Sequence, residues 1–258
     1  MSKNIVERLQ KVSINFKIMN KSKIEWTEST WNPLTGCNKI SSGCKNCYAE
    51  TMAKRLKAMK NPRYPNGFEL TLHPDKVDEP RNWKKGKMIF VNSMSDLFHK
   101  DVQLKYIQKV FKTMNETPQH TYQVLTKRSS KLLELSPKLT WSDNIWMGVS
   151  IENEDNLYRM DNLKLCGATT KFISAEPLLG PLPNMNLSGI DQIICGGESG
   201  PKSRPMEKDW VLDIKKQCNV YGTAFYFKQW GGKNKKKAGN LLDGVKYEAY
   251  PNKNLTIK

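Results

Sequence analysis

Six short apolar runs, each closing in polar residues, limit how this chain can fold more than any other feature. They are "MIFVNSMSD" (Met88 to Asp96), "YQVLTKR" (Tyr122 to Arg128), "IWMGVSIEN" (Ile145 to Asn153), "KFISAEPL" (Lys171 to Leu178), "DQIICGGESG" (Asp191 to Gly200) and "AFYFKQWGG" (Ala224 to Gly232). Each is rich in Val, Ile, Phe or Tyr, as a buried strand is. The segments between them carry helical periodicity. From Val102, apolar side chains recur at Tyr106, Ile107, Val110, Phe111 and Met114, all on one helical face. "PMEKDWVLDIKKQC" (Pro205 to Cys218) opens on proline and acidic residues and closes on lysines, in the manner of a helix. A less marked pair, Trp31 to Leu34 and Phe68 to His73, adds two candidate strands. Strands alternating with helices predict an α/β fold with parallel strands, either a doubly wound sheet or a partial or complete barrel. In both, chemistry sits at the carboxyl ends of the strands. That rule selects Asn92, Ser93, Ser95, Asp96, Thr126, Lys127, Ser150, Glu152, Ser174, Glu176, Gly196, Gly197, Glu198, Ser199, Lys228 and Gln229 as the residues facing a shared pocket.

A second feature is chemical. "CNKISSGCKNCYAE" places Cys37, Cys44 and Cys47 in a C-x6-C-x2-C pattern and then stops at three. The loop leads at once into the helix-like "YAETMAKRLKAMK", whose free N–H groups and positive dipole end favour thiolates. Three soft ligands on one short loop suit an iron–sulfur cluster with one iron lacking a protein ligand. Zinc completed by a distant Cys166, Cys195, Cys218 or His99 is an alternative. So are a Cys44–Cys47 redox pair, which leaves Cys37 idle, and three unligated structural thiols.

The 258 residues, 38% of them hydrophobic, suffice for one sizeable core. Lys and Arg number 42 against 25 Asp and Glu, a formal charge of +17. Such a surplus attracts phosphate backbones, the plainer reading being solvated lysine faces. Cationic stretches such as "KRLKAMKNPR" and "GGKNKKKAG", with Trp26, Trp31, Trp83, Trp141 and Trp230 as flat surfaces, would suit a nucleic acid or nucleotide. No apolar run reaches membrane-spanning length, and the N-terminus has no signal-peptide pattern. The expectation is a cytoplasmic protein with reduced thiols and no membrane partner.

"IEWTESTWNPLTGCNKISSGCKNCYAE" resembles the signature of the phage Gp37/Gp68-like, three-Cys-motif proteins (DUF5131), a group related to radical S-adenosylmethionine (SAM) enzymes. The resemblance continues through "FVNSMSDLFH", "VLTKR", "WMGVSIEN", "FISAEPLLGPL", "CGGESG" and "FKQWGG". It implies one domain over residues 24–251, with residues 1–23 as an N-terminal extension and 252–258 as a tail. It further implies a partial or complete TIM-like (β/α) barrel of the radical SAM type. Cys37, Cys44 and Cys47 would hold a [4Fe-4S] cluster whose open iron takes SAM, the pair generating a 5′-deoxyadenosyl radical with electrons from an external reductant. The usual radical SAM spacing is C-x3-C-x2-C with an aromatic residue before the last cysteine. Here the first gap is wider and Asn46 stands there, with Tyr48 as the neighbouring aromatic. Candidate SAM contacts are Tyr48, Ser93, Ser95, Asp96, Lys127, Glu152, Glu176, Gly196, Gly197 and Glu198. Lys127 also reads as a structural ion-pair partner of Glu152 or Glu176. Cys195 is a candidate hydrogen-atom donor, against the plainer reading of a buried strand thiol. The rival function is a non-catalytic iron–sulfur or zinc protein that binds nucleic acid.

Overall fold

The computed structural model describes residues 24–251; the expected N-terminal extension and C-terminal tail lie outside them. All six apolar runs form strands: β4 (Met88–Val91), β5 (Thr121–Thr126), β6 (Ile145–Ser150), β7 (Thr170–Ala175), β8 (Gln192–Gly196) and β9 (Ala224–Gln229). A short β1 (Ser29–Trp31) precedes them and pairs with β4. The candidate strand Trp31 to Leu34 is cut by Pro33, which has no N–H to give a central ladder. Beyond it, β2 (Leu34–Thr35) turns away and pairs antiparallel with β3 (Thr71–Leu72), making a separate two-stranded ribbon.

The main sheet has seven parallel strands in chain order, β1-β4-β5-β6-β7-β8-β9. A doubly wound sheet reverses its strand order midway; this one does not. Right-handed crossovers between strands in strict succession all fall on one face. The sheet therefore curls around its other face into an open half-barrel.

The outer layer contains α2 (Leu104–Asn115), α3 (Ser129–Leu135), α4 (Tyr158–Lys164) and α5 (Lys208–Tyr221). The face predicted from Val102 onward is the one α2 buries: Tyr106, Ile107, Val110, Phe111 and Met114 join strand residues Val91, Val124, Val149, Ile173, Ile193 and Phe227 in one core. Each such aliphatic side chain contributes about 1.5–3 kcal/mol on burial. The concave face holds a smaller aromatic cluster of Trp26, Phe90, Trp146, Phe172, Ile194 and Tyr226. Gly148 makes room for it, since a Cβ there would meet the Phe172 ring at 2.5 Å. Tyr226 Oη donates to Glu25 O at 3.1 Å, tying β9 to the segment that enters β1.

Of the five tryptophans offered as stacking platforms, two are buried and three half-buried. Trp31 is buried in the main core with its Nε1 donating to Lys76 O at 2.7 Å, and Trp83, Trp141 and Trp230 pack against that core. Trp26 is buried in the concave cluster and borders the cavity described next.

Candidate metal centre and cavity

β1 runs into the ribbon strand β2, and Gly36 follows at φ +85°. A Cβ at Gly36 would lie 2.1 Å from Glu69 O, so only glycine lets the chain pass there. The loop then carries Cys37 and Cys44 and ends at Cys47, the N-cap of α1 (Tyr48–Ala58). Cys37, Cys44 and Cys47 all line one cavity of about 460 Å³ at the carboxyl ends of the parallel strands.

Arg128 Nη2 lies 3.9 Å from Cys37 Sγ, and Ser41 Oγ lies 3.8 Å from Cys44 Sγ. Burial, with the Asp96 charge adding to it, pushes the Cys37 thiol up to about 11 despite Arg128. Burial also raises Cys47; the N–H groups of Glu50 and Ala49 oppose this without closing a cap hydrogen bond. Losing these protons to a metal is therefore part of any binding event.

The loop is clamped from the strand ends. Ser41 Oγ donates to Glu152 Oε1 at 2.7 Å, and Glu152 also pairs with Lys127 Nζ at 2.8 Å and Arg159 Nη1 at 2.9 Å. A Cβ at Gly43 would meet Glu152 Oε1 at 2.4 Å, so the loop backbone rests on this carboxylate. On the other side Asn46 Nδ2 donates to Glu198 Oε2 at 2.9 Å. Arg204 holds both Glu198, through Nε at 2.9 Å, and the loop carbonyl Ser42 O, through Nη2 at 2.9 Å. Arg128 Nη2 reaches Asn38 O at 3.3 Å, and His99 Nε2 bonds Asn38 Oδ1.

Burial raises the Glu152 carboxyl, but Lys127 and Arg159 outweigh it and hold the group below its ordinary range; burial at Glu198 is likewise overcome by Arg204 and Asn46. A carboxyl depressed on folding stabilises the protein above its unfolded pKa and loses that contribution as pH falls through the folded one. Acid unfolding of Glu198→Gln should therefore fall less steeply with pH than that of the wild type, as read by thermal melts between neutral pH and the carboxylate range. An unchanged slope would remove Glu198 from the clamp.

Four side chains are candidates for a distant fourth zinc ligand. Cys166, Cys195 and Cys218 are buried in the core beneath the sheet, and His99 is engaged with Asn38. Among the described residues, no three His, Cys, Asp or Glu side chains converge on a point that would hold a single ion. A cubane asks for something else, because each thiolate takes a different iron and the sulfurs surround a volume. Three thiols on one cavity wall, which Asp96, Glu176 and Glu198 also line, make a donor set that fits such a cluster in softness.

A family model described as "Protein of unknown function (DUF5131)" matches residues 21–251. The chain belongs to the DUF5131 family. No curated protein matches it in sequence. Two solved structures are similar in backbone. One is spore photoproduct lyase complexed with dinucleoside spore photoproduct, at 13% identity and a TM-score of 0.46, covering 78% of this chain and 64% of that one. The other is a spore photoproduct lyase mutant with bound AdoMet and dinucleoside spore photoproduct, at 12% identity and a TM-score of 0.46, with the same two coverages. The DUF5131 chain thus spans less than two thirds of the length of either.

The candidate cofactor contacts of the DUF5131 chain divide into those on the cavity wall and those behind it. Tyr48, Ser93, Ser95, Asp96, Lys127, Glu176, Gly197 and Glu198 line the cavity; Glu152 and Gly196 do not. Tyr48 Oη donates to Ser93 O, and Ser95 Oγ donates to Leu34 O at 2.8 Å. Asp96 is already committed, accepting from Phe98 N at 2.9 Å, Thr126 Oγ1 at 2.7 Å and Lys127 N at 3.2 Å. Lys127 pairs with Glu152, as one of its two readings had it. Glu176 instead takes Lys228 Nζ at 3.0 Å and Ser174 Oγ at 3.2 Å.

The glycines of "GGESG" serve chain approach. A Cβ on Gly197 would stand 2.0 Å from Trp230 O, and Gly232 N donates to Glu198 O at 2.8 Å. Gly197→Ala must displace backbone, and a loss of about 1–3 kcal/mol is expected in denaturant unfolding. Cys195 cannot donate a hydrogen atom into this cavity. It is fully buried in the main core, on the strand face opposite Ile194, and neighbours Cys218 of α5. Alternation along β8 sets that direction.

Sequence reasoning missed Asn46, Arg128 and Arg204. Arg128 had a signal, since it ends the run "YQVLTKR" at a strand terminus; Arg204 had none, because only the closed fold brings it to the loop.

Proposed function

We propose that the chain is a radical SAM enzyme of the Gp37/Gp68-like, three-Cys-motif group, in which Cys37, Cys44 and Cys47 hold a [4Fe-4S] cluster. The observation that supports this reading is the placement of three thiols, on the loop that follows the first parallel strand, against one cavity at the carboxyl ends of the strands. When bound, such a cluster supplies one electron to SAM and so releases a 5′-deoxyadenosyl radical that abstracts hydrogen from a substrate.

The chain's own residues do the rest. Glu152 and Glu198 seat the cysteine loop, and Arg128 places a positive charge beside Cys37. Tyr48, Ser93, Lys127, Glu176 and the Gly197–Glu198 backbone surround the volume in which SAM would lie. Lys228 and Glu176 form a charged pair on the wall, positioned to hold a proton or a polar substrate group.

The substrate in this reading is a nucleotide or nucleic acid. The cavity itself is charge-balanced, with Lys39, Lys127, Arg128 and Lys228 against Glu25, Asp96, Glu176 and Glu198. The surplus of +17 therefore lies outside it, where a phosphate backbone would be held while a neutral group enters. All six cysteines are free, in keeping with a reducing, cytoplasmic setting. No helix among the described residues is long and apolar enough to cross a membrane.

The test is anaerobic reconstitution with iron and sulfide, chemical reduction, and chromatography for 5′-deoxyadenosine after adding SAM. Brown protein that forms the product is expected. Brown protein that leaves SAM intact would point to a non-catalytic cluster, and a colourless zinc protein would end the proposal. DNA, tRNA and nucleotide pools are then screened, with binding expected to weaken steeply as salt rises.

A further inference from the structure

Of the eleven large apolar side chains exposed among the described residues, four lie between residues 40 and 59: Ile40 at 44%, Tyr48 at 55%, Met52 at 43% and Met59 at 66%. Tyr48, Met52, Arg55 and Met59 recur at i, i+4, i+7 and i+11, which sets them in one stripe about 16 Å long on α1. Ala49 and Ala53 are buried on another side of the same helix. The stripe starts at the mouth of the cavity, because Tyr48 and Ile40 both line it. Tyr48 Oη donates to Ser93 O at the end of β4. The hydroxyl thus anchors the ring while much of its surface stays open.

Cations flank the same mouth. Residues 39–60 contain six basic side chains (Lys39, Lys45, Lys54, Arg55, Lys57, Lys60) and one acidic one (Glu50), six less one leaving +5. Glu50 is itself spent on Lys39 at 2.8 Å and Lys54 at 2.6 Å. Asn46 Nδ2 donates to Lys202 O at 2.8 Å, which ties the segment carrying Lys202 to the cysteine loop near the end of β8. Lys45, Arg55 and Lys202 are exposed and enter no ion pair among the described residues.

An anchored, half-open ring among cations suits a flat group that brings its own negative charge. Base pairs of a duplex cover one another's faces, whereas a single strand can splay its bases onto an aromatic side chain. A stable protein interface covers about 800 Å² per partner, and this stripe is one side chain wide.

We propose that the Tyr48 stripe is the docking track of a single-stranded nucleic acid. Tyr48 stacks on the base next to the one that enters the cavity, and Lys45, Arg55 and Lys202 meet its phosphates. The inference rests on the nucleic-acid reading of the substrate given above and narrows it to an unpaired strand at a named surface.

The test is fluorescence anisotropy of the full chain, with and without the reconstituted cluster. The probes are a labelled thymine-rich single strand and its duplex, each titrated over a salt series. The single strand should bind more tightly than the duplex. Tyr48→Ala should weaken single-strand binding roughly fivefold or more with the salt slope unchanged, and Tyr48→Phe, which keeps the ring, should retain most of it. Lys45→Gln/Arg55→Gln should instead lower the salt slope by about 1.4. Met52→Glu changes only an exposed helix position and should weaken binding too, whereas Leu165→Glu, 71% exposed before the amino end of β7, should not. Absent binding, a duplex bound equally well, or single-strand binding indifferent to both Tyr48→Ala and Met52→Glu would each overturn the proposal. So would a dimer of this chain, seen by ultracentrifugation, that Met59→Glu dissolves. Strand binding with these variant effects in a chain that leaves SAM intact refutes the enzyme reading and keeps the track. A chain that forms 5′-deoxyadenosine yet binds no strand does the reverse.

Discussion

Glu152→Ala is expected to damage both the fold and the metal centre. The carboxylate is fully buried and accepts from Arg159, Lys127 and Ser41 together. Removing it strands the guanidinium of Arg159, itself only 1% exposed, without its carboxylate in the protein interior. Breaking a buried pair from one side costs about 3–5 kcal/mol. For a chain of this size that lowers Tm on the order of 10 °C. Because Ser41 and Gly43 rest on the same carboxylate, the cysteine loop should also loosen. Thermal melts would read the first effect, and iron content after reconstitution the second. Glu152→Gln keeps the acceptor for Ser41 and should recover part of the iron while remaining less stable. A melt within about 1 kcal/mol of wild type for the alanine variant would show that Glu152 does not carry the loop.

The second large effect concerns the thiols. Cys37→Ala, Cys44→Ala or Cys47→Ala should each remove most of the visible absorbance of the reconstituted protein, while melts stay near those of the wild type without metal. All three side chains are only partly buried, so their truncation opens little cavity. Cys166→Ala and Cys218→Ala should behave oppositely, keeping full colour and losing about 1–3 kcal/mol of stability from the core. Colour that survives removal of all three loop cysteines would eliminate the assignment. The two sets therefore separate a ligand from a packing thiol by independent readouts.

Much of the architecture is legible in the sequence because the parallel strands are buried on both faces. Their residues then read as continuous apolar runs, and all six runs appear as strands with their polar ends at one edge. The choice between a wound sheet and a barrel was not legible, since both use the same alternation and differ only in strand order. The short β1 was blurred by Asn32 and Pro33, and the ribbon of β2 and β3 is too brief to show a period.

For the candidate site, clustering of the cysteines and the polar strand ends both lead to residues that line one cavity. The roles within that wall were harder to see. Glu152 and Glu198 read as cofactor contacts because a carboxylate at a strand end faces a pocket by default; here Glu152 turns to the cysteine loop behind the wall, and Glu198 bonds that loop while lining the cavity. That assignment depends on Ser41, Asn46 and Arg204, whose approach is a tertiary event with no local sequence signature. Cys195 was decided by parity alone, one residue along β8 separating the cavity side from the core side. Trp31 misled because an aromatic next to polar residues looks the same in sequence whether it stacks on a ligand or fills a core.

The stretch 245–250 returns along β9 in the opposite direction, with Phe227 N donating to Tyr247 O at 2.9 Å and Ala249 N to Phe225 O at 3.2 Å. The hydrogen-bonding rim that an eighth parallel strand would need is thereby already taken. Closure into a full ring is forbidden from that side, as is edge-to-edge joining of two molecules through β9. Among the described residues β9 thus has both edges occupied, by β8 on one side and by this return stretch on the other.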